Sequence, residues 1–433
     1  MAGEGVTRLL FRGGRIVDPA AGREGVADLL VEEGRIARIA PGIDARDVEI
    51  VDAAGMIVFP GFIDLHVHLR EPGFEYKESI LSGAQAAAAG GFTAVCAMPN
   101  TDPVNDHRTV TRWIADRAHE AGFARVYPIG ATTKGMRGEE LAEFGEMKEA
   151  GAVAVSDDGR WVANGTVMRR ALEYASLFDL PVATHAEDET LSGRGAMNEG
   201  GVSTRLGLSA QPAEAESVAV ARDIALCALA KGRLHVCHVS TARSVALVRE
   251  AKARGVRVTC EATPHHLLLT DEEVARSGFS TDTKMNPPLR ARRDVEALVE
   301  GLVDGTIDAV ATDHAPHHLD EKAVDYESAP FGVIGLETAV SLFHARFVST
   351  GRVSLSRMAE LFSSGPARAF SLPGGTLADG AAADVTLFDP GAEWEADPRA
   401  FRSRARNSPF AGMRASGAVA ATYVSGREIY RRS

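Results

Sequence analysis

The 433-residue chain predicts an α/β protein, a (β/α)8 barrel over residues 57–373 beside a small discontinuous β-sandwich that residues 1–56 and 374–433 build together. Three observations predict it. Eight short apolar or β-branched runs alternate with longer Ala-, Leu-, Arg- and Glu-rich segments, as parallel strands each followed by a helix would. Polar residues capable of chemistry gather at the ends of those runs, where barrels carry their sites. Both flanks instead hold short alternating strands broken by Gly, Pro and Asp, with little helical signal.

In chain order, the first flank reads LLFRGGRIVDPA, ADLLVEEGRIARIA and VEIVDAAG, three strand-like stretches. The barrel runs follow: IVFPGFIDLHVHL (57–69), TAVCAMPN (93–100), RVYPIG (125–130), AVAVSDD (152–158), PVATHAE (181–187), RLHVCHVS (233–240), VRVTCEATPHH (256–266) and IDAVATDHAP (307–316). Between them, ESILSGAQAAAAGG, TVTRWIADRAHEAG and ESVAVARDIALCALAKG read as helices, rich in strong formers and often closing on Gly. GGTLADGAAAD (374–384) lacks the following helix of a phosphate loop and reads as turns entering the strands of ADVTLFDP and AVAATYVSGREIY.

Composition narrows the function classes. With 45% hydrophobic and 24% charged residues the chain is that of a folded protein. No run of 18 apolar residues appears and the start, MAGEGVTRLLFRGG, lacks a signal-peptide layout, so a cytoplasmic protein is expected, with no membrane partner. A net charge of −12 excludes a nucleic-acid partner, which requires a basic surface. Cys96, Cys227, Cys237 and Cys260 stand in apolar surroundings without metal spacing and read as small buried apolar residues.

The polar run ends are His66 and His68, Asn100, Asp158, His185, His238 and Asp313. One histidine ending a strand is more often structural than catalytic, but the habit recurs in most of the runs. Within IDLHVHLR, alternation puts Asp64, His66, His68 and Arg70 on one face and Ile63, Leu65, Val67 and Leu69 on the other. Two imidazoles one pleat apart can grip a borderline-soft ion of the zinc type. Four histidines and two aspartates exceed the needs of one tetrahedral zinc, and two ions bridged by a carboxylate is the economical reading. A water shared by such ions ionises near neutral pH and becomes a nucleophile for a carbonyl.

DLHVHLREP resembles the first signature of the dihydroorotases, in the amidohydrolase superfamily. ATDHAPHHLDEK (311–322) is similar to their second, with the aspartate, the Ala-Pro-His and the distal lysine in register. The likeness continues through MPNTDPV, SDDG, ATHAED, HVCHVS and PHHLLLT. It points to the bacterial single-function type with an aspartate as bridge: many relatives use a carboxylated lysine at the end of the fourth strand, and AVAVSDDG has none. The resemblance implies two Zn2+ per subunit, one held by His66, His68 and Asp313, the other by His185 and His238, with Asp158 bridging and Asp157 facing away.

It also implies a substrate, N-carbamoyl-L-aspartate or its cyclic form L-dihydroorotate, interconverted in pyrimidine (UMP) biosynthesis. Arg70 offers a planar fork for the substrate carboxylate, beside His68, with Asn100 and His317 completing the grip. Asn286, Phe331 and Gly332 would meet the ring amide and carbonyl, the last two through the backbone. Asp313 would carry the proton between the attacking water and the leaving nitrogen. His265, His266, His314 and His318 match no family function and read as structural. A homo-oligomer is expected, and some relatives assemble with aspartate transcarbamoylase. Two rivals stand beside this reading. A hydantoinase or allantoinase would share fold and metals but not the carboxylate grip, and a non-catalytic scaffold would have lost ligands that are all present here.

Overall fold

The computed structural model describes residues 8–432; residues 1–7 and 433, which the sequence assigns to the terminal domain, lie outside the described residues. Five strands come first: β1 (Leu9–Asp18), β2 (Arg23–Glu32), β3 (Arg35–Ala40), β4 (Glu49–Asp52) and β5 (Ile57–Pro60). The barrel strands are β6 (Phe62–Val67), β7 (Phe92–Ala97), β8 (Arg125–Ala131), β9 (Ala154–Ser156) and β10 (Val182–Thr184). After a two-residue pair, β11 (Met197–Asn198) and β12 (Ala210–Gln211), they continue as β13 (Leu234–Val236), β14 (Val258–Ala262) and β15 (Ala309–Val310). The chain ends on β16 (Val385–Glu395), β17 (Arg414–Val424) and β18 (Arg427–Arg431).

The eight barrel strands pair in parallel in chain order from β6 to β15. The ring closes where Val67 bridges His314, and the His68 N–H donates to the His314 carbonyl at 2.8 Å. Helices cover the outside, among them Ile80–Ala89, Arg108–Ala121, Glu214–Ala230 and Arg292–Asp304. Both faces of the strands are therefore dry, which is why they read as apolar runs without alternation. No helix among the described residues is long and apolar enough to cross a membrane.

The eight terminal strands form one mixed sheet in the order β18-β17-β16-β5-β1-β2-β3, with β4 on β1. Both ends of the chain share its core: Leu9, Phe11, Val31 and Val58 pack with Val385, Leu387 and Tyr423, and the Phe11 and Tyr423 rings meet edge to face at 4.9 Å. The first barrel run of the sequence divides here. Ile57–Pro60 pairs with β1 and β16 in the terminal sheet, and the barrel strand begins at Phe62. Gly61 makes the step because a Cβ there would sit 2.2 Å from the buried Thr93 hydroxyl.

Inside the barrel, Ile63 and Leu65 join Ala94, Cys96, Ile129, Ala154, Ala183 and Cys237, with Phe370 and Leu372 in the same cluster. Val67 and Leu69 instead pack in the cluster that contains the covering helices. The expected alternation through IDLHVHLR is thus corrected: it breaks between Leu65 and Val67, where the ladder to β7 shifts register. A bulge supplies the extra residue that turns His66 inward after Leu65.

Candidate functional site

A cavity of about 410 Å³ opens at the C-terminal ends of the barrel strands, lined by His68, Arg70, Asn100, Asp158, His185, Asn286, Asp313, His317, Phe331 and Gly332 among others. All the residues that the sequence assigns to substrate are in this wall. His66 and His238 lie beneath it, buried.

Asp158, two residues past β9, is the centre of the cluster. Its Oδ2 faces His66 Nε2 at 3.3 Å and His68 Nε2 at 3.4 Å; its Oδ1 faces His238 Nε2 at 3.3 Å and His185 Nδ1 at 3.5 Å. Asp313 Oδ1 stands 3.5 Å from His66 Nε2 and 3.2 Å from His68 Nε2. One carboxylate thus serves two histidine pairs, one per oxygen, and the second aspartate sits on the first pair alone. Asp157 points elsewhere, accepting from the Thr132 and Thr133 N–H groups at 2.9 and 3.0 Å.

The outer nitrogens fix the tautomers. His66 Nδ1 is 2.8 Å from Glu261 Oε1, His68 Nδ1 is 2.9 Å from Asn100 Oδ1, and His185 Nε2 is 3.0 Å from Glu187 Oε2. Those oxygens only accept, so each ring donates outward and turns its other nitrogen's lone pair on the two aspartates. His66 Nε2 is buried and has no hydrogen-bond partner. Lone pairs converging on carboxylates in a dry pocket call for a cation between them. The residues fit a metal: His66, His68 and Asp313 are mutually close enough to hold one, as are His66, Asp158 and His238.

Charge follows the same geometry. Burial opposes ionisation of Asp158, but the His66 imidazole and its bonds to His185 and His238 hold it well below the usual carboxylate range. Burial likewise opposes Asp313, and His66 and His68 lower it. In a metal-free site the imidazoles divide: burial disfavours charge on His185, yet Asp158 with Glu187 raises it to about 10, whereas burial prevails at His68 and lowers it. Backbone strain is present here too. Arg70, His238 and Asp313 have φ of 62°, 32° and 46°, a region that side chains with a Cβ seldom adopt.

Arg70 is anchored by its Nε, which donates to Pro316 O at 3.1 Å, and faces the cavity with the rest of its fork. Burial lowers it to about 10, which leaves it charged. Asn286 Nδ2 donates to Glu187 Oε2 at 2.5 Å. His317 Nε2 donates to Phe331 O at 2.9 Å, so it shapes the wall as well as lining it.

Several residues escape a reading by strand ends. Glu261 lies inside β14, ionised at about 2 because His235 and His66, against the cost of burial, both bond to it. The signal was a lone carboxylate in an otherwise apolar strand. Glu187, Lys322 and Asn407 also support the wall, and nothing in the pattern marks Asn407. Asp64 leaves the histidine face to accept from Thr312 N–H and Oγ–H, at 3.1 and 2.6 Å. His266 is tied to Thr263 and Pro287, and His314 to the barrel closure and Glu78, as structural histidines are. All four cysteines are buried and unpaired with one another.

Residues 55–244 match the family model described as Dihydro-orotase-like. The chain is 55% identical over 423 residues to a protein named dihydroorotase from Anaeromyxobacter dehalogenans (strain 2CP-C), covering 98% of each chain. It is 54% identical to another of that name from Syntrophotalea carbinolica, covering 98% of this chain and all of that one. Among solved structures, an L-hydantoinase (dihydropyrimidinase) from Arthrobacter aurescens superposes with a TM-score of 0.88 at 26% identity, over 99% of this chain and 97% of that one.

Proposed function

Because the chain belongs to the dihydroorotase family, we propose that it interconverts N-carbamoyl-L-aspartate and L-dihydroorotate in pyrimidine biosynthesis, with two zinc ions per subunit in the histidine–aspartate cluster. One observation carries the reading: Asp158 divides its two oxygens between two pairs of histidines, three of which turn a lone pair inward, beside a half-buried arginine facing the same cavity. His66, His68 and Asp313 would hold one ion and His185 and His238 the other, with Asp158 shared. When bound, such ions supply Lewis acidity and a water that ionises near neutral pH.

The chain's own residues do the rest. In hydrolysis the ring C–N bond breaks, a C–O bond forms to water, and the ring nitrogen gains a proton; cyclisation is the reverse. Asp313 would carry that proton, a role supported by its position on the cavity wall with Oδ1 facing His66 and His68. Arg70 binds the substrate carboxylate, with His68, Asn100 and His317 around it, while Asn286 and the Phe331–Gly332 backbone orient the ring. A homo-oligomer, and association with aspartate transcarbamoylase, are part of the proposal.

The likeness to hydantoinase structures stands at 26% identity against 55% to the dihydroorotases, and a hydantoin carries no ring carboxylate for Arg70 to hold. Zinc-loaded protein offered dihydroorotate, hydantoin and allantoin is expected to turn over the first and leave the others nearly untouched; preference for hydantoin would overturn the assignment. Asp313→Asn is expected to retain metal and lose about 10²–10⁴-fold in turnover. Near-normal turnover there would remove Asp313 from proton transfer.

A further inference from the structure

Behind the cavity wall lies an ammonium group that none of this chemistry uses. Lys322 is 6% exposed, and among the described residues no carboxylate reaches its Nζ within the 4.0 Å of an ion pair. Its partners are peptide oxygens: Nζ donates to Pro330 O at 2.9 Å, Gly332 O at 3.0 Å and, more weakly, Lys284 O at 3.4 Å. A buried charge spent on carbonyls is costly, and here it is spent on the two residues flanking Phe331.

The rest of that segment is also taken up. The Phe331 carbonyl accepts from His317 Nε2, the Gly332 carbonyl also accepts from Asn407 Nδ2 at 3.0 Å, and the Gly332 N–H donates to Lys284 O at 3.0 Å. Pro330 has no N–H. Gly332 has φ of 133°, and a Cβ there would sit 2.8 Å from Ala315 O, so only glycine fits. Of the backbone polar groups in Pro330–Gly332, the Phe331 N–H is the one left without a protein partner among the described residues.

We propose that Lys322 is a positioning residue for substrate: by holding the Pro330 and Gly332 carbonyls from behind, it fixes the Phe331 N–H to donate to a ring oxygen of the cyclic amide. This rests on the dihydroorotase reading. The groups around the ammonium are Asp282, Lys284, Glu321 and His317. Burial lowers Lys322 to about 8, Asp282 resisting, Lys284 adding to the fall and Glu321 resisting. Below that pH the clamp is charged. As pH rises through it, the amine loses its charge and one of three N–H donors, and the grip on the segment slackens.

The test compares wild type, Lys322→Met and Lys322→Gln, all zinc-loaded, by KM and kcat for dihydroorotate from pH 7 to 9.5 and by hydrogen exchange of the 331–333 amides. Lys322→Met, which donates nothing, is expected to raise KM about tenfold with kcat nearly kept. Lys322→Gln, an uncharged donor that also covers failure of the Met variant to fold, is expected to raise it less. The wild-type KM is expected to climb on the alkaline side and both variants' KM to stay flat. Wild-type KM in both variants, or the same alkaline climb in both, overturns the proposal. Exchange is expected to quicken at 331–333 in the Met variant; unchanged protection overturns the clamp. If wild type does not act on dihydroorotate, the functional reading fails by itself, and exchange still decides the clamp.

Discussion

Glu261 shows how much of the site depends on a side chain that never reaches the cavity. Buried within β14, it accepts from His66 Nδ1 at 2.8 Å and His235 Nε2 at 3.0 Å. It thereby dictates which His66 nitrogen keeps its lone pair for the cluster. Glu261→Gln removes the charge and lets the amide donate as well as accept, so the His66 tautomer is no longer enforced. Metal affinity is expected to fall about 10–100-fold, read by competition with a chromophoric chelator, with the fold retained. Unchanged affinity would show that the histidine holds its orientation by packing alone. The candidate metal ligands are the legible ones, because histidines and aspartates recur at run ends, whereas Asn286, Phe331 and Gly332 lie in no run and are legible only through the family resemblance. Those that orient them are carboxylates, amides and a lysine of ordinary kinds, whose roles arise only from distances between separate elements.

The barrel strands could be read as apolar runs because both their faces are buried, yet their limits and phase could not. Period two holds along β6 only as far as Leu65, and a local insertion then resets the face on which His66 and His68 stand. No composition signal marks that bulge. The run at 57–69 likewise looks continuous but serves two sheets, divided at a residue with no room for a side chain. Gly61→Ala is expected to cost about 1–3 kcal/mol in urea unfolding, through overpacking against Thr93. An unchanged midpoint would mean that Thr93 swings aside without loss. Metal content of the folded variant is expected to match wild type, since the histidines follow the bulge and not the step at Gly61.

At the level of the whole molecule, a large apolar core joins the barrel and its helices to Val17, Phe59, Phe388 and Val419 of the terminal sheet, so removal of metal is expected to lower stability without abolishing the fold. At free zinc a hundred times Kd, binding to the folded state alone contributes about 2.7 kcal/mol per site. Chelation should lower Tm accordingly and leave far-UV dichroism native; an unchanged Tm would argue against tight sites in the cluster. That both flanks belong to one sheet was readable from their shared strand-and-turn character, whereas its order, with β5 seated between β1 and β16, was not. That order also bears on biosynthesis. β5 ends at residue 60 and its partner β16 begins at 385, so at roughly 5–20 residues per second the early strands spend roughly 15–65 s outside the ribosome before their neighbour emerges. Throughout that interval a growing chain carries an unsealed strand edge and the apolar side of Phe11 and Val58, which makes the nascent protein a natural client for chaperones.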